Sequence, residues 1–544
     1  MSMNESLGSS ADSQKATVIS IPALIKGTVR YGEKIALPEL QNAIRRENSA
    51  PIPVKQPIAV TVKSTQILAG YPLRLSSRSS QTESCFLLSL KPDPKEIIES
   101  DVSSLVNELM SLTFDDILEY LDSVRRVFIE CRGQLRSSIE ECFHGAVDVL
   151  SECDFLLQLL PDLLDRQGIE EAVDRELSYD SRRGRDFLNG WVKLLANCHA
   201  GMTSHFATQA FPNHATTKLT ASIQACPTRQ LHITAGNSPY VPFISWLRGT
   251  TTRGALVVKS STQSPLLTAV LIFAIQQIDP RHPLRRHSSL VFWKGGDTTV
   301  ENALFSPGAF DRIVVWGSEQ AVRSVQQRSV HSKTIVFRPR FSISLIGREA
   351  FPDQIAQAAE KASIDSLISN QKACFSSLVH YVVGNEKNAV CYCETLCKKL
   401  GDWDRIWPQD LDRAILGQLR MLKRTALIHG RWFENGGSQS TSSAVVLTDK
   451  PFDISRHPAC RLVVVRRIEH ESQIVPFLNP SVSALGVYGH QTLSFIRNIA
   501  ASAGVTTIAK LGESESIFSG IPNDGMRTLS ELVNWSTSLN ENES

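Results

Sequence analysis

The most apolar run in this 544-residue chain, Pro265 to Ile275, is too short to cross a bilayer. A helical span needs roughly 20 apolar residues, so this run is expected to be a buried helix, and no membrane span is expected. Net charge is scarce too. The 57 Lys and Arg against 55 Asp and Glu leave +2, too weak a field to argue for nucleic acid or an anionic membrane surface. The 11 cysteines are odd in number and lack framework spacing, which argues against a disulfide scaffold. The opening residues, MSMNESLGSSADSQ, contain no apolar stretch of the secretory type. Together these features predict a reduced, cytoplasmic protein. The G-x-G-x-x-G dinucleotide fingerprint is also missing.

What is present is ordinary globular composition, 42% hydrophobic and 21% charged, enough for two or three packed domains. Residues 1–15 are expected to be a disordered tail. A β-rich segment should follow over 16–95, where ATVISIP, IAVTVKS and SCFLLSL are separated by turn formers. From Asp101 to about Ala200 apolar residues recur at helical spacing. From Gln230 to Phe337 strands and helices alternate: LHITAG, a helix with Ser264 as N-cap and Pro265 at its first position, SLVFWKG, DRIVVWG, SEQAVRSVQQRS and KTIVF. That rhythm predicts a parallel α/β sheet. The helical region and this sheet are expected to form one unit over 96–340. A second α/β unit is expected over 341–490, with strands SLVHYVV, SAVVLTD and RLVVVRRI. The segment 491–544 is expected to return to the first unit or to an interface.

Four segments carry possible chemistry. A strand ends in Gly236-Asn237, where a side-chain amide could donate to a developing oxyanion. A second strand ends in Lys259, followed by Ser260, Ser261 and Thr262, groups suited to a nucleotide ribose or phosphate. A third ends in Gly317-Ser318 before a helix, where a pyrophosphate could approach closely. Cys374 lies between a helix and a strand, where a thiol can meet a substrate. Each has a plainer reading: a turn, a solvated lysine, an ordinary strand-to-helix turn, and a small buried hydrophobe.

The order of these elements resembles the aldehyde dehydrogenase superfamily. The phrases AGNSP, VVKSS, DRIVVWGS, NQKACFSS, IPNDGM and LSELVNW are similar, more narrowly, to the long-chain fatty acyl-CoA reductase family, which supplies the reductase of bacterial luciferase systems. The resemblance covers about residues 100–540. It implies an aldehyde-dehydrogenase-like α/β fold, with a Rossmann-type cofactor domain, an α/β catalytic domain and an N-terminal β-rich and helical extension. It also implies NADPH-dependent reduction of a fatty acyl thioester to an aldehyde through an acyl-cysteine. Under it Cys374 is the nucleophile and Asn237 the oxyanion donor. Lys259, with Ser261 and Thr262, contacts the adenine-side ribose, Gly317 and Ser318 lie beside the pyrophosphate, and Glu469 matches a nicotinamide-ribose glutamate. The substrate would be a fatty acyl-CoA or an acyl-carrier thioester, an acyl-activating enzyme a possible partner, and a homo-oligomer the expected assembly. The alternatives are a CoA-acylating aldehyde dehydrogenase for shorter chains and a weakly catalytic acyl-handling subunit.

Two departures from the superfamily pattern bear on the reaction. Aldehyde oxidisers carry a general-base glutamate upstream of the cysteine, but the matching stretch here, IVFRPRFSISLIG, has none. An acyl-cysteine without that base is poorly exposed to hydrolysis, which suits a reductase. Thr262 stands where NAD-preferring members have an acidic residue, which favours NADP(H). Elsewhere, Cys391, Cys393 and Cys397 are expected to pack a helix and not to bind metal. His380 is expected to be structural, and Arg285, Arg286 and His287 to form a solvated basic loop.

Overall fold

The computed structural model describes residues 17–33, 35, 58–62, 64–69, 72–73, 83–144, 149–194, 219–407, 411, 413–435, 443–515 and 520–541. The expected disordered tail lies outside them. Two seven-stranded sheets carry the architecture.

The first sheet runs in the order Lys333–Phe337, Arg312–Trp316, Arg229–Ile233, Ala255–Lys259, Ser288–Val291, Ala23–Ile25, Thr28–Arg30. The first five strands of this order are parallel. They are short and mostly apolar, as strands covered on both faces must be. Helix Leu266–Gln276, from the most apolar run, is buried from Leu266 to Ile275. No helix among the described residues is long and apolar enough to cross a membrane. Ser264 does not cap this helix. Its hydroxyl donates to the Gly236 carbonyl at 3.2 Å, tying the helix start to the turn after the first parallel strand.

The strand order reverses around Arg229–Ile233. Ile233 stands opposite Lys259 on one side and Val315 on the other. The carboxyl ends of these strands therefore open on one crevice, the topological switch point where open α/β sheets place their ligands.

An N-terminal hairpin extends the sheet antiparallel, with Leu24 opposite Leu290. Its turn, Lys26-Gly27, has φ of 43° and 74°, a left-handed pair that glycine eases. Arg285 donates to the Gly27 carbonyl at 2.9 Å and to that of Gln276 at 3.0 Å. His287 lies 3.2 Å from both Glu99 and Glu108, and Arg286 pairs with Glu108 at 2.9 Å. The expected solvated loop is thus a correction: Arg285 and His287 are buried, and this basic run stitches the N-terminal hairpin to the first sheet. Carboxylates some 180 residues upstream, invisible to local composition, make that burial affordable.

The second sheet runs Gly430–Glu434, Ala444–Thr448, Leu462–Ile468, Ser377–Val383, Phe341–Ile346, Val482–Tyr488, Thr507–Lys510, parallel except for its first strand. Separate apolar clusters cover its two faces. The strand Asn534–Glu541 pairs antiparallel with Leu219–Cys226, across more than 300 residues of chain.

Candidate active site

Ile355–Leu367 is a helix, and the turn after it determines where Cys374 sits. Ser369, Asn370 and Gln371 are three consecutive non-glycine residues with left-handed φ of 49°, 52° and 66°. Such conformations cost of order 1–3 kcal/mol each and persist only where the surroundings impose them. Here the surroundings are explicit. The Arg461 guanidinium, fully buried, donates to Asn370 Oδ1 at 2.8 Å, pairs with Asp404 at 2.6 Å and lies 5.4 Å from the Trp407 ring centre. Gln371 forms a two-point clasp with Leu462: its amide donates to the Leu462 carbonyl at 2.7 Å, and the Leu462 N–H donates back to Gln371 Oε1 at 3.1 Å. Beyond the turn, Ser342 donates to the Cys374 carbonyl at 2.8 Å, and the Ala484 N–H donates to Ser342 Oγ at 2.9 Å. The cysteine is thus fixed from three strands of the second sheet.

Asn237 reaches this loop from the first sheet, its Nδ2 donating to the Lys372 carbonyl at 3.3 Å. The switch point of one sheet and the thiol-bearing turn of the other therefore meet. Gly236 permits the approach, since a Cβ there would run into Ser261 Oγ and lie 2.6 Å from Gln263 Oε1. Lys259 ends its strand partly buried, its ammonium 5.9 Å from the Trp293 ring centre. Burial pushes its pKa down to about 8, against the pull of Glu301. Ser261 and Thr262 are buried beside it. Gly317 leaves open space, since a Cβ would meet only the Ala321 side chain, at 3.4 Å. Ser318 caps helix Glu319–Arg328 by accepting from the Ala321 N–H at 3.3 Å. Glu469 lies just past its strand, its carboxylate exposed and 3.5 Å from Arg467, while its carbonyl accepts from Arg348 at 2.6 Å. Of these residues only Asn237 has a described contact with the loop that carries Cys374.

Burial pushes the Cys374 thiol up to about 11. The negative charge of Asp524 adds to this, while the Ser483 hydroxyl and the backbone N–H groups of Cys374 and Phe375 oppose it. Asp524 and Ser483 escaped the sequence reading, as did Arg461. The available signal was the Asp-Gly of IPNDGM, a turn dipeptide: Asp524 and Gly525 have φ of 51° and 78°, bridged by two Asn523–Met526 backbone hydrogen bonds of 2.9 Å. His380 is structural, buried between Ser366 and Tyr392 and pushed down to about 3 by burial. Cys393 and Cys397 face the core and Cys391 is exposed.

Residues 213–535, which include every group above, match the family described as Acyl-CoA reductase (LuxC). The chain belongs to that family. Acyl-CoA reductase family relatives include the long-chain acyl-protein thioester reductase 2 of Photobacterium leiognathi, 26% identical over 314 residues, covering 56% of this chain and 63% of that protein. The long-chain acyl-protein thioester reductase of Vibrio harveyi is 25% identical over 320 residues, with the same two shares. The matched region thus spans under two thirds of the length of these relatives. Among solved structures, aldehyde dehydrogenase 21 from Physcomitrella patens superposes with a TM-score of 0.65 at 10% identity, over 97% of this chain and 99% of that one. The NADP-dependent glyceraldehyde-3-phosphate dehydrogenase of Bacillus halodurans gives 0.63 at 12% identity, over 96% and 99%. The fold is aldehyde-dehydrogenase-like, as the sequence motifs implied.

Proposed function

We propose that the protein reduces a long-chain fatty acyl thioester to a fatty aldehyde with NADPH, through an acyl group carried on Cys374. The observation that carries this reading is the 3.3 Å contact of Asn237 with the Lys372 carbonyl, which sets the sheet crevice against the thiol. Family membership and the thioester reductases among the relatives support it.

The crevice fits a dinucleotide. Gly317 leaves its strand end open, and Lys259 offers a cation at the strand end on the far side of Arg229–Ile233. Bound there, a reduced nicotinamide supplies hydride. Lys259, Ser261 and Thr262 hold the adenine-side ribose. Thr262, uncharged, tolerates a 2′-phosphate. Gly317 and Ser318 flank the pyrophosphate, and Glu469 is assigned to the second ribose.

Cys374 attacks the acyl carbonyl, and the Asn237 amide turns from the Lys372 carbonyl to the oxyanion. A side-chain donor that reaches the oxyanion is worth about 10²–10³ in rate. The carrier thiol departs, leaving acyl-Cys374. Hydride addition gives a thiohemiacetal, which collapses to aldehyde and the Cys374 thiolate. No glutamate occupies the position from which superfamily oxidisers activate water, so the acyl group survives until it is reduced. Residues 96–340 and 341–490 are proposed as the cofactor and catalytic units, and a homo-oligomer supplied by an acyl-activating partner as the working assembly.

The test is NADPH oxidation over a panel of acyl-CoA and acyl-carrier thioesters of rising chain length, with aldehyde identified as product. A rate that rises with chain length supports the reading, and no oxidation with any thioester overturns it. A pH effect follows from Lys259. With its pKa lowered, the ammonium is charged below about pH 8 and neutral above it. NADPH affinity should therefore weaken as pH rises through 8. In Lys259→Met it should be weaker below pH 8 and lack that step, as isothermal titration will show.

A further inference from the structure

The motif IPNDGM helped to mark the family, yet the reaction above gives its aspartate nothing to do. The Asp-Gly turn explains the backbone: a two-residue turn with both φ positive favours such a pair. It does not explain where the side chain goes. An aspartate kept only for its turn would point to water, whereas the Asp524 side chain is 8% exposed and faces inward. The cationic groups facing it are Arg340, 3.8 Å away and too far for a direct hydrogen bond, and Arg248 from the first sheet's side. The remaining titratable neighbour is the thiol of Cys374.

Between them stands Ser483. The Ser483 residue is wholly buried, and its hydroxyl makes no close hydrogen bond among the described residues. An idle buried hydroxyl is costly and calls for a reason. Its place beside the nucleophile is fixed by the backbone: the N–H of the next residue, Ala484, holds Ser342 Oγ, which in turn holds the Cys374 carbonyl. On its other side the Ser483 carbonyl accepts from Thr506 Oγ1 at 3.1 Å. That hydroxyl lies 3.4 Å from the Arg340 guanidinium facing Asp524. The hydroxyl favours the ionised form of both Cys374 and Asp524.

We propose that Ser483 and Asp524 form a proton path to the Cys374 sulfur, with Asp524 holding the proton between the attack of the sulfur and the departure of the carrier thiolate. The proposal rests on the acyl-cysteine reading. As Sγ attacks, its proton passes to Ser483 Oγ, and the Ser483 proton passes to the Asp524 carboxylate. The Sγ–acyl bond forms, the bond to the carrier sulfur breaks, and the departing thiolate takes a proton from Asp524. After hydride transfer the carbon–Sγ bond breaks, and the path returns one solvent proton to the thiolate. Burial holds the Asp524 carboxyl above the usual carboxylate range, which suits a group that must give its proton back.

The test separates this path from a merely structural role, using the full chain and two readouts. One is the pH midpoint for iodoacetamide alkylation of Cys374, followed by peptide mass mapping. The other is single-turnover release of coenzyme A from a long-chain acyl-CoA without nicotinamide. Asp524→Asn removes the charge that opposes thiolate formation, so its alkylation midpoint should fall by about one pH unit. Its acyl transfer at pH 7 should nevertheless slow by about 10²-fold or more. A residue that merely props up the fold would not make the thiol easier to ionise and slower to acylate at once. Ser483→Ala keeps the charge, so its midpoint should not fall, and its acyl transfer should slow by a similar factor. The double variant should be little worse than either. Unchanged acyl transfer in Asp524→Asn, or a midpoint that does not fall, overturns the proposal. A wild-type chain that alkylates normally yet takes no acyl group overturns the functional reading instead, and the proposal with it.

Discussion

Cys374→Ala should bind NADPH with unchanged affinity, form no radiolabelled acyl-enzyme and lose NADPH-dependent aldehyde production by at least about 10⁴-fold. The size of the effect follows from the arrangement of the loop. Asn237 donates to the carbonyl two residues before the thiol and Ser342 to the carbonyl of the cysteine itself, so both hold the loop through its backbone. Removing one sulfur leaves those hydrogen bonds in place and the cofactor crevice intact. It deletes only the atom proposed to bond the acyl group. Equilibrium cofactor binding and acyl labelling should therefore separate cleanly, and a variant that still became labelled would place the acyl group on another residue.

Arg461→Met should be nearly as damaging to turnover, by a different route. Arg461 is fully buried, and its loss strips Asp404 of its 2.6 Å ion pair and Asn370 of its 2.8 Å hydrogen bond. Breaking a buried pair from one side costs about 3–5 kcal/mol, because a buried charge is left uncompensated. The left-handed turn 369–371 also loses part of what imposes it, so the thiol should wander. The expected result is a lowered denaturation midpoint together with slower acylation. In Arg461→Met with Asp404→Leu, stability should largely return, since no unpaired charge remains, while acylation stays slow. Recovery of both together would show that Arg461 serves only the core.

Much of this site was legible along the chain because its parts sit at strand ends. Apolar runs such as ALVVK and RIVVW announce parallel strands, and whatever follows them lies at a carboxyl edge. Asn237, Lys259 and Gly317 could therefore be picked out in order, and Cys374 by its place between a helix and a strand. The groups that tune the thiol could not. Arg461 acts on a residue 91 positions earlier, and Asp524 reaches Cys374 only because the chain returns from the second sheet to the first. Neither relation leaves a periodicity. The basic run at Arg285 was misjudged for the same reason: charge patterning describes a surface, and the carboxylates Glu99 and Glu108 that bury it lie far upstream. Ser264, a good cap by type, instead spends its hydroxyl on a carbonyl brought close by tertiary contact.

The return of the segment 520–541 also sets a timetable. Its strand Asn534–Glu541 completes an edge laid down with Leu219–Cys226, and the Leu529 N–H docks on Glu176 at 2.7 Å. At ribosomal speeds of roughly 5–20 residues per second, the segment carrying Asp524 emerges about 8–30 s after Cys374. Until it docks, the nascent thiol lacks the aspartate that faces it. A newborn chain thus holds a cysteine that is easier to ionise and more open than in the finished protein. Its exposure to oxidants and stray electrophiles is greatest during synthesis and falls when the last strand zips into place, leaving the thiol partly exposed.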